Sequence, residues 1–214
     1  GLTAADVDDY RVISQTVSQH TRVTHITLQQ MHNQLDIAGA IATVHVDNDG
    51  SIIAASSSLI PGLVEDPAIT SYETVLGAGD ALVETAGLFG FTFTSSSNIV
   101  SQQNTIDQAQ VLSGGGISSG NIPLHLQYVP TVDGGVSLAW EMEIERPGLA
   151  GYYVVSVDAA DGTLLQATDR VMHEQYLVFP EPADNPIDSD GLQTLQIDRF
   201  DTVSSPFGWH DSNG

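Results

Sequence analysis

The chain has 214 residues, 41% of them hydrophobic, enough for one large domain or two small ones around a buried core. Its basic residues are Arg11, Arg22, Arg146, Arg170 and Arg199, with no lysine, and against 27 acidic residues they leave a net charge of −22; that field repels phosphate backbones and anionic lipid and argues against nucleic acid as a partner. No apolar run approaches the roughly 20 residues of a membrane-spanning helix, and the absence of cysteine excludes disulfides and thiolate metal sites.

Thr3 followed by Asp6 resembles a capping box, so a short helix is expected through about Asp9. Residues 11–18, 23–31, 38–46 and 51–58 are rich in Val, Ile and Thr, with breaks at His20-Thr21, His32-Asn33-Gln34 and Asp47-Asn48-Asp49-Gly50, which reads as an antiparallel meander. Ala42, Val44 and Val46 share one face of the third strand, opposite Ile41, Thr43 and His45. Asp66-Pro67 then opens a helix in which Ile69, Tyr72, Leu76, Val83 and Ala86 recur at helical spacing, with Gly77 and Gly79 bending or splitting it. From Gly87 to Gly120 the apolar patches are brief, and edge strands and mobile loops are expected.

A second cluster of strands begins at Leu124, Leu126 and Tyr128 and turns at Asp133-Gly134-Gly135. Val136, Leu138, Trp140, Met142 and Ile144 then face inward, alternating with Ser137, Ala139, Glu141, Glu143 and Glu145 toward water. Tyr152–Val157 and Thr163–Leu165 form a hairpin across Asp158–Gly162. The whole reads as α+β: two small antiparallel-sheet lobes with little helix, followed by an extended segment. From His173, Pro180, Pro182 and Pro186 arrive among aspartates, marking a linker, and the residues to Gly214 read as the opening of a further domain.

Chemistry is sparse. His173-Glu174 begins the pattern of a zinc-binding helix, but Leu177 stands where the second histidine is required. His20, His25, His32, His45, His125 and His210 have no spacing that converges on a metal; for those in strands a hydrogen-bonded imidazole is the expectation. Asp47–Gly50 is a hairpin turn, whereas Asp188-Ser189-Asp190-Gly191 is a candidate calcium contact through its dense carboxylates. Glu141, Glu143 and Glu145 are expected to be solvated, and no nucleophile elbow, phosphate loop or dinucleotide fingerprint occurs. No catalytic residue, cofactor site or metal site is assigned. The surplus of carboxylates suits saline surroundings, in which case added salt should raise the melting temperature.

Three stretches resemble parts of one family in one order. Val23–Gln30, with His25 and Gln30, followed by Ala38–Val46 and the Asp49-Gly50 turn into Ser51–Ile53, resembles the fungalysin/thermolysin propeptide motif. Leu138-Ala139-Trp140-Glu141 and Val157–Leu165 are similar to the cystatin-like second half of such propeptides, and Val203–Gly214 to the opening of a fungalysin peptidase domain. Gln34 departs from the family, which usually has glycine after the asparagine. The resemblance implies three parts: an N-terminal propeptide lobe at 1–62, a cystatin-like lobe at 63–172, and a processing linker with the start of the peptidase at 173–214. It also implies secretion, a cognate zinc peptidase domain as partner, a zinc-binding helix downstream of this chain, and a processing junction at Arg170, Val171, Met172, His173, Glu174 and Gln175. A free-standing cystatin-like inhibitor is the rival reading; the peptidase-like segment Ser205–Asp211 distinguishes the two, because a free module has no use for it.

Overall fold

The computed structural model describes residues 2–63, 76–132, 134–147, 151–171, 175–178 and 194–197. Residues 1–170 form one compact unit and 171–214 another. In the first, a single 3-10 turn at Ala5–Val7 replaces the expected helix. Asp6 closes it from the side: its Oδ2 accepts the Thr3 amide at 2.7 Å and the Thr3 hydroxyl at 2.8 Å.

Four antiparallel strands follow, β1 (Tyr10–Val17), β2 (Thr24–His32), β3 (Leu35–Val46) and β4 (Ile52–Ser57), close to the expected boundaries. The β2–β3 connection is the two-residue Asn33-Gln34 turn, with φ of 53° and 67°, the doubly left-handed geometry that matches the twist of a hairpin. Asp47–Gly50 is a turn as expected, closed by the Gly50 amide on the Asp47 carbonyl at 3.0 Å.

After residues 64–75, which lie outside the described set together with the expected helix start, α1 runs from Ala78 to Leu88. Gly77 precedes it and Gly79 sits in its first turn, so neither glycine splits the described helix. Its buried face is Ala78, Ala81, Leu82, Thr85 and Ala86. Val83, expected to face inward, is 58% exposed, because Leu82 and Ala86 take the core side of the turn.

The remaining strands are β5 (Ile99–Gln102), β6 (Gln110–Leu112), β7 (Ile122–Pro130), β8 (Val136–Glu145), β9 (Tyr152–Asp158) and β10 (Leu164–Asp169). With β1–β4 they make one mixed ten-stranded sheet whose main path is β1-β2-β3-β7-β8-β9-β10. β4 joins β3, and β5–β6 joins β7. The two clusters of strands meet where β3 runs parallel to β7, Ile37 opposite Tyr128; the other pairings are antiparallel.

The buried core includes Leu35, Ile37, Leu82, Leu124, Trp140, Met142, Ile144, Val155 and Val157. Each such side chain contributes about 1.5–3 kcal/mol when removed from water. The core lies under α1 and β7–β9, whereas β1 and β4 are exposed along their whole length. Among the described residues the architecture is sheet-rich, with one short α-helix at Ala78–Leu88.

The expected solvation of the outer face of β8 is only partly met. Ala139 is fully buried, and Glu141 and Glu143 are half-buried and bonded, so of the second face of β8 only the Glu145 end is open to water as expected. The glycine loop after β6 is fastened: Thr94 and Ser95 amides both donate to the Gly115 carbonyl, and Ile117 is buried. At Gly116, φ is +88° and a Cβ would stand 1.9 Å from the Thr94 hydroxyl, so only glycine fits.

The second unit contributes two described strands, β11 (Gln175–Val178) and β12 (Thr194–Ile197), paired antiparallel with Tyr176 opposite Gln196.

Candidate functional site

Consecutive glutamines at the end of β2 must point to opposite faces, and the fold uses each to satisfy irregular backbone. The β2–β3 register shifts between Gln29 and Met31, leaving extra residues on β3 around Gly39, whose φ is +70°. The Gln29 amide fills that gap, donating to the carbonyls of Ile37 at 2.6 Å, Gln30 at 3.0 Å and Ala40 at 3.2 Å. Gln30, 2% exposed, reaches the other way. Its Nε2 donates to the Asp6 carbonyl at 2.8 Å and the Ile60 carbonyl at 2.9 Å, and its Oε1 accepts the Ile60 amide at 2.8 Å. Asp6 completes the clasp by accepting the Gly62 amide at 2.7 Å. Hydrogen bonds from Thr3, then those from the Gly62 and Leu63 amides, hold the Asp6 carboxyl below the ordinary carboxylate range. Gln30 thus ties the first turn, β2 and the segment after β4 together.

The register shift also pairs His25 with His45 across β2 and β3. Their Nδ1 atoms lie 2.7 Å apart and their rings meet edge to face at 4.7 Å, so one imidazole donates and the other accepts. His32 packs edge to face on Tyr128 at 5.5 Å. Burial lowers its pKa, partly offset by Asp9. His20 is exposed at a turn. Among the described residues no three of His, Asp and Glu converge as metal ligands. His173, His210 and Asp188–Gly191 lie outside the described residues.

Trp140, 1% exposed, donates its indole N–H to the Leu76 carbonyl at 2.9 Å, and the Leu76 amide donates to the Ala159 carbonyl at 3.0 Å. The tryptophan therefore anchors the residues entering α1 to β8 and the β9–β10 turn. Nearby on β8, Glu141 accepts Gln127 Nε2 and lies 4.0 Å from His125, while Glu143 accepts the Tyr152 hydroxyl. That bond, then burial, raises the Tyr152 pKa. These carboxylates bridge strands.

At the sequence-predicted junction, the Arg170 amide donates to the Tyr152 carbonyl at 2.7 Å and closes the first unit. Val171 opens the second, Met172, His173 and Glu174 lie outside the described residues, and Gln175 begins β11. The resemblance marks His25, Gln30 and Trp140, but neither Gln29 nor the pairing of His25 with His45. The adjacent polar pair Gln29-Gln30 inside an otherwise alternating strand was the signal for buried amides.

Residues 8–59, which span β1–β4, match the Fungalysin/Thermolysin Propeptide Motif. The match thus coincides with the first cluster of strands. Along 88% of its length the chain is 28% identical to extracellular metalloproteinase 2 of Phaeosphaeria nodorum, and along 94% it is 25% identical to extracellular metalloproteinase mep of Aspergillus fumigatus. It spans only 29% and 31% of those proteins. The chain is thus homologous to part of fungal extracellular metalloproteinases, and its residues 8–59 match the propeptide motif. Among solved structures, the Bacillus megaterium YpeB C-terminal domain aligns with 76% of this chain and 57% of its own, at 10% identity and a TM-score of 0.36.

Proposed function

We propose that this chain is the pro-region of a secreted zinc metallopeptidase, which covers the active-site cleft of its cognate peptidase domain, assists that domain's folding, and is removed by cleavage. One observation carries the reading: the propeptide motif at 8–59 stands within homology along nearly the whole chain to less than a third of the length of extracellular metalloproteinases. The chain itself is non-catalytic. Zinc belongs to the peptidase, and calcium is a candidate only at Asp188–Gly191.

The organisation proposed is an N-terminal propeptide lobe at 1–62, a cystatin-like lobe at 63–172, and a processing linker with the start of the peptidase at 173–214. Helix α1 packed against β8 and β9 of an antiparallel run supports the cystatin-like, α+β description of the second lobe. The division of the chain between Arg170 and Val171 supports cleavage within Arg170–Gln175, where one cut separates two compact units.

The mechanism is linkage. A partner that binds only the folded enzyme stabilises it by RT ln(1 + [L]/Kd), and covalent attachment holds its effective concentration on the order of millimolar. After cleavage that advantage disappears and dilution releases the pro-region. The test is refolding of the denatured mature peptidase with and without this chain, followed by peptide hydrolysis. Higher recovery of folded enzyme, together with inhibition by excess chain, supports the proposal. Unchanged recovery and no inhibition would refute it and favour a free-standing inhibitor of some other protease.

A further inference from the structure

The four-stranded motif sheet has two unlike faces. Register places Thr24, Ile26 and Leu28 of β2 beside Val17, Gln15 and Val12 of β1 and beside Val46, Val44 and Ala42 of β3. Ile52 of β4 continues that row opposite Val46. The other face presents Ser14, Thr16, His25, Thr27, Thr43 and His45, with Ile41 at its end. One side is mostly apolar, interrupted by Gln15 and Thr24, and the other mostly polar, close to the alternation of a sheet with a single covered face.

Among the described residues this side is covered only at the Leu28–Ala42 end, where Ala42 is buried and Asp6 and Ile60 close over Gln30. Val12 is 50% exposed, Val17 56% and Ile52 67%, while Ile26, Leu28 and Val44 are only half-buried. At one end the face runs into a cavity of about 280 Å³, with Val7, Tyr10, Leu28 and Leu59 among its apolar lining and Asp6 and Asp9 at its wall. Strands of eight or nine residues, at about 3.4 Å per residue and about 4.8 Å between strands, give a face of roughly 500 Å². That is as large as the biggest apolar patch on a typical monomer, about 300–600 Å². It falls short of the ~800 Å² each partner gives a standard interface, so an occupant must also engage the cavity.

We infer that this apolar face of β1–β4 is the surface on which the cognate peptidase domain docks; the inference rests on the pro-region reading above. Three observations select that occupant. The motif shared with protease propeptides covers these strands and stops at residue 59, short of α1 and the buried strands β7–β9. The relatives are about three times as long as this chain, so they carry a further body large enough to cover the face. A second copy is disfavoured, since two chains of charge −22 repel on approach.

The test is a titration of the 214-residue chain against its mature peptidase, read by inhibition and by calorimetry. Val12→Glu with Val17→Glu puts charge on the apolar face; Ser14→Glu with Thr16→Glu puts the same charge on the opposite face of the same strand. The first pair should weaken binding at least about tenfold and the second less than about threefold. Equal losses, or none from the first pair, would overturn the assignment. Should circular dichroism show the first pair unfolded, Val12→Thr with Val17→Thr retains strand propensity and should still weaken binding several-fold. Sedimentation showing a dimer that Val12→Glu with Val17→Glu dissociates would assign the face to a second copy and overturn the inference. Failure of the unaltered chain to bind at all strikes the pro-region reading itself, and the inference falls with it.

Discussion

Replacing Gln30 with leucine tests whether the buried amide holds the motif sheet together. Leucine fills a similar volume, but the Asp6 and Ile60 carbonyls and the Ile60 amide each lose their bond to Gln30. A buried polar group left without a partner costs about 1–3 kcal/mol. Ile60 is half-buried and water can reach part of this site, so the lower end applies to each, giving about 3 kcal/mol in total. For a chain of this size 1 kcal/mol moves the melting temperature by about 2–4 °C, so the loss should be about 6–12 °C. Urea unfolding followed by far-ultraviolet circular dichroism measures the free energy directly. A loss under about 1 kcal/mol would show that the amide is dispensable and that apolar packing alone seats the first turn against β2.

Gln34→Gly should stabilise the hairpin by about 0.5–1 kcal/mol, because glycine relieves a left-handed backbone at φ 67° at an entropic cost smaller than the strain; an unchanged urea midpoint would count against it. Gly116→Ala should destabilise by at least about 2 kcal/mol in the same assay, since its methyl group would collide with Thr94 at a positive φ. Stability should fall in two phases on acidification. Burial lowers the folded pKa of His32, so the unfolded chain takes up the proton first, and loss begins as pH drops below 6.5. The carboxyls of Asp6, Asp49 and Asp161 are lowered by bonds from Thr3, Ser51 and Thr163 respectively; their contribution is complete above 3.8 and lost as pH falls through their folded values. His32→Gln should remove the first phase of a melting-temperature profile and leave the second.

The motif sheet was legible because its signals are local: alternating Val, Ile and Thr, with Asn-Gln and Asp-Asn-Asp-Gly at the turns. The strand around Trp140 was legible for the same reason. Helix α1 was misread at Val83 because its core face is built largely of alanines, whose weak apolar signal lets a larger neighbour dominate the pattern. The pairing of His25 with His45 was hidden by the bulge. Counting back from the Asn33-Gln34 turn sets His25 opposite Ala42, and only the slip between Gln29 and Met31 brings His45 there. The parallel join at Ile37 and Tyr128 bridges about 90 positions and leaves no mark in either local sequence. Site residues fared likewise: Trp140 reads as core from its strand, but its bond to Leu76 depends on a partner far away in the chain.

The twelve residues of β3 are bonded to β2, β4 and β7, so both clusters of strands are stitched to a single ribbon. A nick in the exposed Asp47–Gly50 turn would cut the polypeptide without freeing either fragment, since the hydrogen-bonded seams on each side of the ribbon would persist. Scattered cuts at surface turns are therefore a poor way to dismantle this body. It should come away whole, and its clearance should wait on fraying of the ribbon and not on the first incision.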